Sequence, residues 1–135
     1  MIVAKFIARH AMGEPVEAEC LSANDGFSAR YDLDRVRGVF SRPTHKLVGQ
    51  AYSGKILVLD TAKGGVASAW MLYEMKSRGL CPAAIVFNSV NPILAQGAAQ
   101  AGMTMLAGFD IDITAAIRHG ARLRIDPAKR SVSVL

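Results

Sequence analysis

The stretch Gly54-Lys55-Ile56-Leu57-Val58-Leu59-Asp60, continued by Thr61-Ala62-Lys63-Gly64-Gly65-Val66-Ala67-Ser68, decides the fold. Its apolar run is opened by glycine, closed by an acid and shows no period-2 alternation, so it predicts a strand buried on both faces in the middle of a sheet. Ala69, Trp70, Met71, Leu72, Tyr73 and Met75 then read as a helix that ends near Arg78, with Gly79 as its C-terminal cap. Pro82 to Phe87 is a second short buried strand. Asn88 to Asn91 reads as a polar turn, Pro92 suits the first position of a helix running to Ala101-Gly102, and Met103 to Leu106 is a third strand. A strand, helix, strand, helix, strand order implies parallel pairing with right-handed crossovers.

Outward from that unit the periodicity changes. Val16 to Leu21 alternates cleanly, as do Arg122 to Asp126 and Ser131 to Leu135 around Pro127-Ala128-Lys129-Arg130, which predicts a terminal β-hairpin. Ile2 to Ala8 is a further strand, and the Met12-Gly13-Glu14-Pro15 break makes it and Val16 to Leu21 two strands flanking a turn. From Asn24-Asp25-Gly26 to Phe40 neither period holds, so this stretch is read as a long, partly ordered loop with a short helix at best. Lys46 to Gly49 is read as the start of a strand, and a brief helix runs through Thr114 to Arg118. With no linker and no repeat, residues 1–135 are expected to form one layered β/β/α domain of the α/β class: mixed sheets with a parallel βαβαβ core and a terminal β-hairpin.

Composition narrows the function. Hydrophobic residues make up 51% and charged residues 20% of the 135, which excludes a disordered chain. Lys5 and Arg9 interrupt the first apolar run, so it serves neither as a secretory core nor as a membrane span, and the chain is read as cytoplasmic. The net charge of +5 admits nucleic acid, but the basic residues are scattered and few aromatics lie among them. A small anionic substrate or an acidic partner surface fits better. Cys20 and Cys81 are too few for a thiolate metal site, and His10, His45 and His119 fall in no metal-binding spacing.

The glycine pair between strand and helix carries the sharpest chemical signal. Backbone N–H groups and a positive helix end meet there, a combination that binds anions, and Lys63 adds a full charge while Ser68 adds a hydroxyl. The plainer reading is a tight turn with Ser68 as a cap. Neither GxxxxGK[ST] nor GxGxxG is present. Asn88, Ser89 and Asn91 at the end of the next strand would share one crevice with this turn, because the carboxyl ends of parallel strands converge; the plainer reading makes Asn88 and Asn91 turn formers and caps. Asp110 and Asp112 alternate with Ile111 and Ile113 in a way that fits helix capping better than acid–base work.

From about Arg42 onward the chain resembles the swivel domain of the aconitase X family. The resemblance rests on Thr44-His45-Lys46-Leu47-Val48-Gly49-Gln50, Ser53 to Val58, the Lys63-Gly64-Gly65 turn, Gly79 to Val86 (GLCPAAIV) and Asn91 to Ala98. It implies a small subunit that binds no cofactor itself and pairs with a larger subunit holding an iron–sulfur cluster. Members dehydrate hydroxyacids such as mevalonate phosphate or cis-3-hydroxyproline. The family turn usually reads arginine-glycine-serine with further serines, one of them taken as the catalytic base. Here Lys63 stands for the arginine and Gly65 for the first serine. The resemblance therefore implies substrate binding by Lys63, Gly64 and Gly65, to which the convergence of strand ends adds Asn88, and leaves the base relocated to Ser68, supplied by the larger subunit, or lost. Two rivals follow: an anion-binding or regulatory module that has lost the serine, and a phosphohistidine carrier, for which His45 and His119 are poorly placed.

Overall fold

The computed structural model describes residues 2–29, 31–62 and 66–135, the side chains of residues 66–68 excepted. Its centre is the strand β7 (Ile56–Ala62), whose residues are shared between two cores. Ile56 and Val58 face one side of the sheet, with Ala84, Val86 and Leu106, while Leu57 and Leu59 face the other, with Ile85, Phe87 and Met105. Every one of these ten is buried. This is why the run lacks alternation: both of its faces are dry.

The remaining strands are β1 (Ala4–Ile7), β2 (His10–Met12), β3 (Val16–Ser22), β4 (Gly26–Phe27), β5 (Leu33–Asp34), β6 (Val39–Phe40), β8 (Ala84–Ser89), β9 (Thr104–Ala107), β10 (Arg122–Asp126) and β11 (Ser131–Val134). The main sheet joins nine strands, running β1-β11-β10-β3-β7-β8-β9-β2 with β4 paired to β7. β3, β4 and β8 run parallel to β7, and β9 runs parallel to β8. Helices α1 (Val66–Arg78) and α2 (Pro92–Gln100) are the two crossovers and cover the Leu57/Leu59 face with Leu72, Met75, Leu94 and Ala98. Gly79 closes α1 at φ +73°, as a glycine cap should.

The β10–β11 hairpin forms as the alternation requires, with Arg130 left-handed at its turn. Together with β1 it builds a second β layer. β3 is the corner between the layers: Val16 to Glu19 pair with β10, and Cys20 to Ser22 pair with β7. Leu123, Ile125 and Val132 of the second layer then bury the Ile56/Val58 face, together with Ile113 of the short helix α3 (Ile113–Ala116) and Ile117 just beyond it. The result is a β/β/α stack.

Several local expectations are corrected. β1 and β3 do not pair with each other, because each finds a distant partner, β11 for β1 and both β10 and β7 for β3. The three residues of β2 form a strand through antiparallel pairing with β9. Among the described residues, 24–40 hold no helix, only the three short strands β4, β5 and β6. Their backbone is organised instead by side chains: Asp32 accepts from Ser28 N at 2.8 Å, and Asp34 accepts from Val36 N and Arg37 N, both at 3.1 Å. Residues 46–49 form a turn rather than a strand, and Asn88 and Ser89 extend β8 instead of leaving it.

Candidate functional site

Four parallel strand ends meet at one edge of the sheet: Phe27 of β4, Ala62 of β7, Ser89 of β8 and Ala107 of β9. β7 ends at this edge with Ala62; Lys63, Gly64 and Gly65, which follow it in sequence, lie outside the described residues, as does the Ser68 side chain. What the structure places around that edge is a polar rim. Register sets Thr61 opposite Ser89, and the Ser89 hydroxyl donates to Thr61 Oγ1 at 3.2 Å.

Asn88 knots the rim together. Its Nδ2 donates to Asp60 Oδ1 at 3.0 Å and to Asp112 Oδ1 at 2.8 Å, while its Oδ1 accepts from Ile113 N at 2.8 Å. An N–H facing one end of the amide and two carboxylates facing the other fix which way it points. Among the described residues, Ile113 N is the one donor to Oδ1, which has a second lone pair. Asp112 is also the N-cap of α3, accepting from Thr114 N. The Thr114 hydroxyl and then the Asn88 amide hold its carboxyl below the usual range. Asp112 thus caps a helix, as its spacing implies, and braces Asn88 as well.

On the other side of β7, Asp60 N donates to Asp25 O at 2.9 Å. Asp25 in turn accepts from Gly26 N and Lys46 N, and Lys46 Nζ donates to Asn24 O at 2.9 Å. His45 is buried and stacked on Phe40, with ring centroids 4.7 Å apart. Leu47 N donates to His45 Nδ1 at 3.0 Å, so the proton sits on Nε2 and is given to Gly26 O at 2.8 Å. A histidine with both nitrogens engaged is no phosphocarrier. Its structural part is to hold β4 against the last residues of β7. Below it, the fully buried Asp32 carboxylate pairs with Arg42 NH1 at 3.1 Å.

Among the described residues no group of His, Cys, Asp and Glu is arranged to hold a metal ion. Cys20 and Cys81 pack against opposite faces of the sheet, and burial pushes both thiols up, so they do not fit the thiolate set of an iron–sulfur cluster. Thr61, Asp60, Asp25 and Lys46 are rim residues that sequence patterning passes over. The parallel register of β7 with β8 and β4 is the signal that gathers them.

A β/β/α stack whose parallel strands end together at one polar rim has the architecture of a swivelling domain. The sequence pattern of the aconitase X swivel domain matches residues 5–134. The chain belongs to that family, whose curated relatives here are dehydratase subunits. It is 29% identical over 131 residues to the phosphomevalonate dehydratase small subunit of Thermococcus gammatolerans, covering 97% of this chain and 98% of that one. The counterpart from Methanopyrus kandleri is 31% identical over 114 residues, 84% of each chain. The crystal structure of Thermococcus kodakaraensis aconitase X in its holo-form superposes with a TM-score of 0.88 at 26% identity, over 98% of both chains.

Proposed function

We propose that the chain is the small subunit of a two-subunit cytoplasmic hydro-lyase that removes water from a small anionic hydroxycarboxylate. Its crevice is completed by a larger subunit. The observation that carries this reading is the polar rim of Thr61, Ser89 and Asn88 at the ends of β7 and β8, in a chain that matches a dehydratase small subunit over 97% of its length. In the reaction, a C–H proton passes to a base, the C–H electron pair forms the double bond as the neighbouring C–O bond breaks, and the departing hydroxyl takes up a proton to leave as water, the base returning its own proton to solvent. An iron–sulfur cluster in the larger subunit would supply Lewis-acid help to the leaving oxygen.

This chain's part is recognition and proton handling. Lys63 contributes a point charge to the substrate's anionic group, where an arginine would contribute a two-pronged fork. Gly64 and Gly65 allow close backbone approach, Asn88 offers the remaining lone pair of Oδ1 to a substrate hydroxyl, and Ser68 is the serine left to act as base. The substrate to assay first is phosphomevalonate, because the relatives' names carry it.

The test is turnover by the chain co-purified with its larger subunit, measured by absorbance of the new double bond. Neither subunit should act alone, and Ser68→Ala should lower kcat about 10²–10⁴-fold with KM nearly kept. A kcat within a few-fold of wild type moves the base off Ser68. Dehydration by the isolated small chain would refute the composite site. Tight anion binding by a chain that never associates would favour the binding module that Gly65 suggests.

A further inference from the structure

Exposed aromatic and branched side chains gather where α1 and α2 lie side by side. Trp70 is 70% exposed, and Tyr73 and Ile93 are exposed with it. They wall a groove of about 400 Å³ whose other polar lining is Gln96 and Gln100, with no charged side chain among the described residues. The floor is tight. A Cβ on Gly97 would lie 2.5 Å from Ala69 Cβ, so the helices touch at two small residues while the large ones stand up on either side. A soluble domain rarely leaves a tryptophan in water without a use for it, since its large apolar area is what buried interface anchors are made from.

The position of the groove says what covers it. Both helices follow strands that end at the crevice, so both begin at its mouth: Ile93 is the second residue of α2, and Trp70 lies about 6 Å along α1 from its start. Two more exposed apolar side chains stand at the same end of the sheet, Tyr31 beyond β4 and Ile111 beyond β9. Trp70, Tyr73 and Ile93 together present on the order of 400 Å² of apolar surface. That is about half of the ~800 Å² a standard interface removes from each partner. The contact must therefore run on past the groove, and the crevice mouth is next along it.

We propose that this groove, with Trp70 as its anchor, is where the larger subunit seats, which makes the closure over the crevice and the α1/α2 contact one continuous interface. The proposal rests on the two-subunit reading above. A neutral, aromatic-walled groove calls for an apolar projection on the larger subunit, not an acidic one, despite the small chain's charge of +5. Complex formation should accordingly depend only weakly on salt.

Binding of the purified chain to the larger subunit is measured by titration calorimetry for wild type, Trp70→Ser, Tyr73→Ser and Ile7→Ser, the last being an exposed control on the far strand β1. Circular dichroism of each chain checks folding. Trp70→Ser should bind at least tenfold more weakly with its melting midpoint nearly unchanged, and Ile7→Ser should bind like wild type. A loss under fivefold for Trp70→Ser overturns the anchor, while turnover by the wild-type pair would leave the composite site standing. Tyr73→Ser decides by the same threshold should Trp70→Ser fold poorly. No binding by wild type defeats both readings. A homodimer of the isolated chain that Trp70→Ser dissolves would make a second copy the occupant and overturn the proposal.

Discussion

Replacing Asn88 by alanine deletes three hydrogen bonds at once, two donated to Asp60 and Asp112 and one accepted from Ile113 N. The two donated bonds end on carboxylates that water can reach, and each is worth about 0.5 kcal/mol net at such a site. The stranded Ile113 N–H is partly buried and costs about 1 kcal/mol more. The total, about 2 kcal/mol, corresponds to a fall in melting midpoint of about 8 °C for a chain of this size. Asn88→Asp is the sharper probe, because it places a third carboxylate against Asp60 and Asp112. Like charges raise the new group's folded pKa above its unfolded value near 4. Its repulsion is then fully present above the folded pKa and gone below the unfolded one. Thermal denaturation at pH 7.5 should therefore find Asn88→Asp less stable than Asn88→Ala, and the order should narrow or reverse by pH 4. An alanine variant within 2 °C of wild type, or an aspartate deficit indifferent to pH, would refute the role of Asn88 as the knot of the rim.

Two further outcomes follow from packing and charge. Gly97→Ala would bring a methyl to 2.8 Å from Ala69 Cα as well as 2.5 Å from its Cβ, and since backbone cannot yield, the helices must part. Overpacking of this kind costs about 1–3 kcal/mol, readable as a lowered urea midpoint. Asp112 and Glu17, the latter held down by Arg122 and then Arg124, both have lowered pKa values. The stability they contribute is present above pH ~4.5 and should be lost as pH falls through their folded values, with the Glu17 share also shrinking in high salt. Flat stability from pH 5 to pH 2.5 would contradict both assignments.

The parallel unit was legible because its signals are local. The run Ile56 to Leu59, the Gly79 stop and the Asn91-Pro92 start each declare themselves within a few residues, and the Asn91 side chain does accept from Leu94 N at 2.8 Å. Residues 24–40 were opaque because their order comes from single side chains reaching backbone. Asp32, Asp34 and His45 do there what periodicity does elsewhere. The extension of β8 through Asn88 and Ser89 was hidden by composition: asparagine and serine read as turn formers, yet the ladder to β7 continues as far as Ser89. The rim was half visible. The convergence of strand ends follows from topology, but that Thr61 meets Ser89 is a matter of register, which no single strand's pattern states.

The antiparallel pairing of β1 with β11, which sets Ala4 opposite Val134, has a consequence for how the protein is made. During synthesis β1 is made well before its partner β11, while the parallel unit between them can already collapse around β7. Ala4 and Val134 lie far apart in sequence, and contacts of that kind form late and slowly. Until this pairing closes, β1 lacks its ladder partner, which leaves the nascent chain prone to edge-to-edge aggregation until β11 has been made.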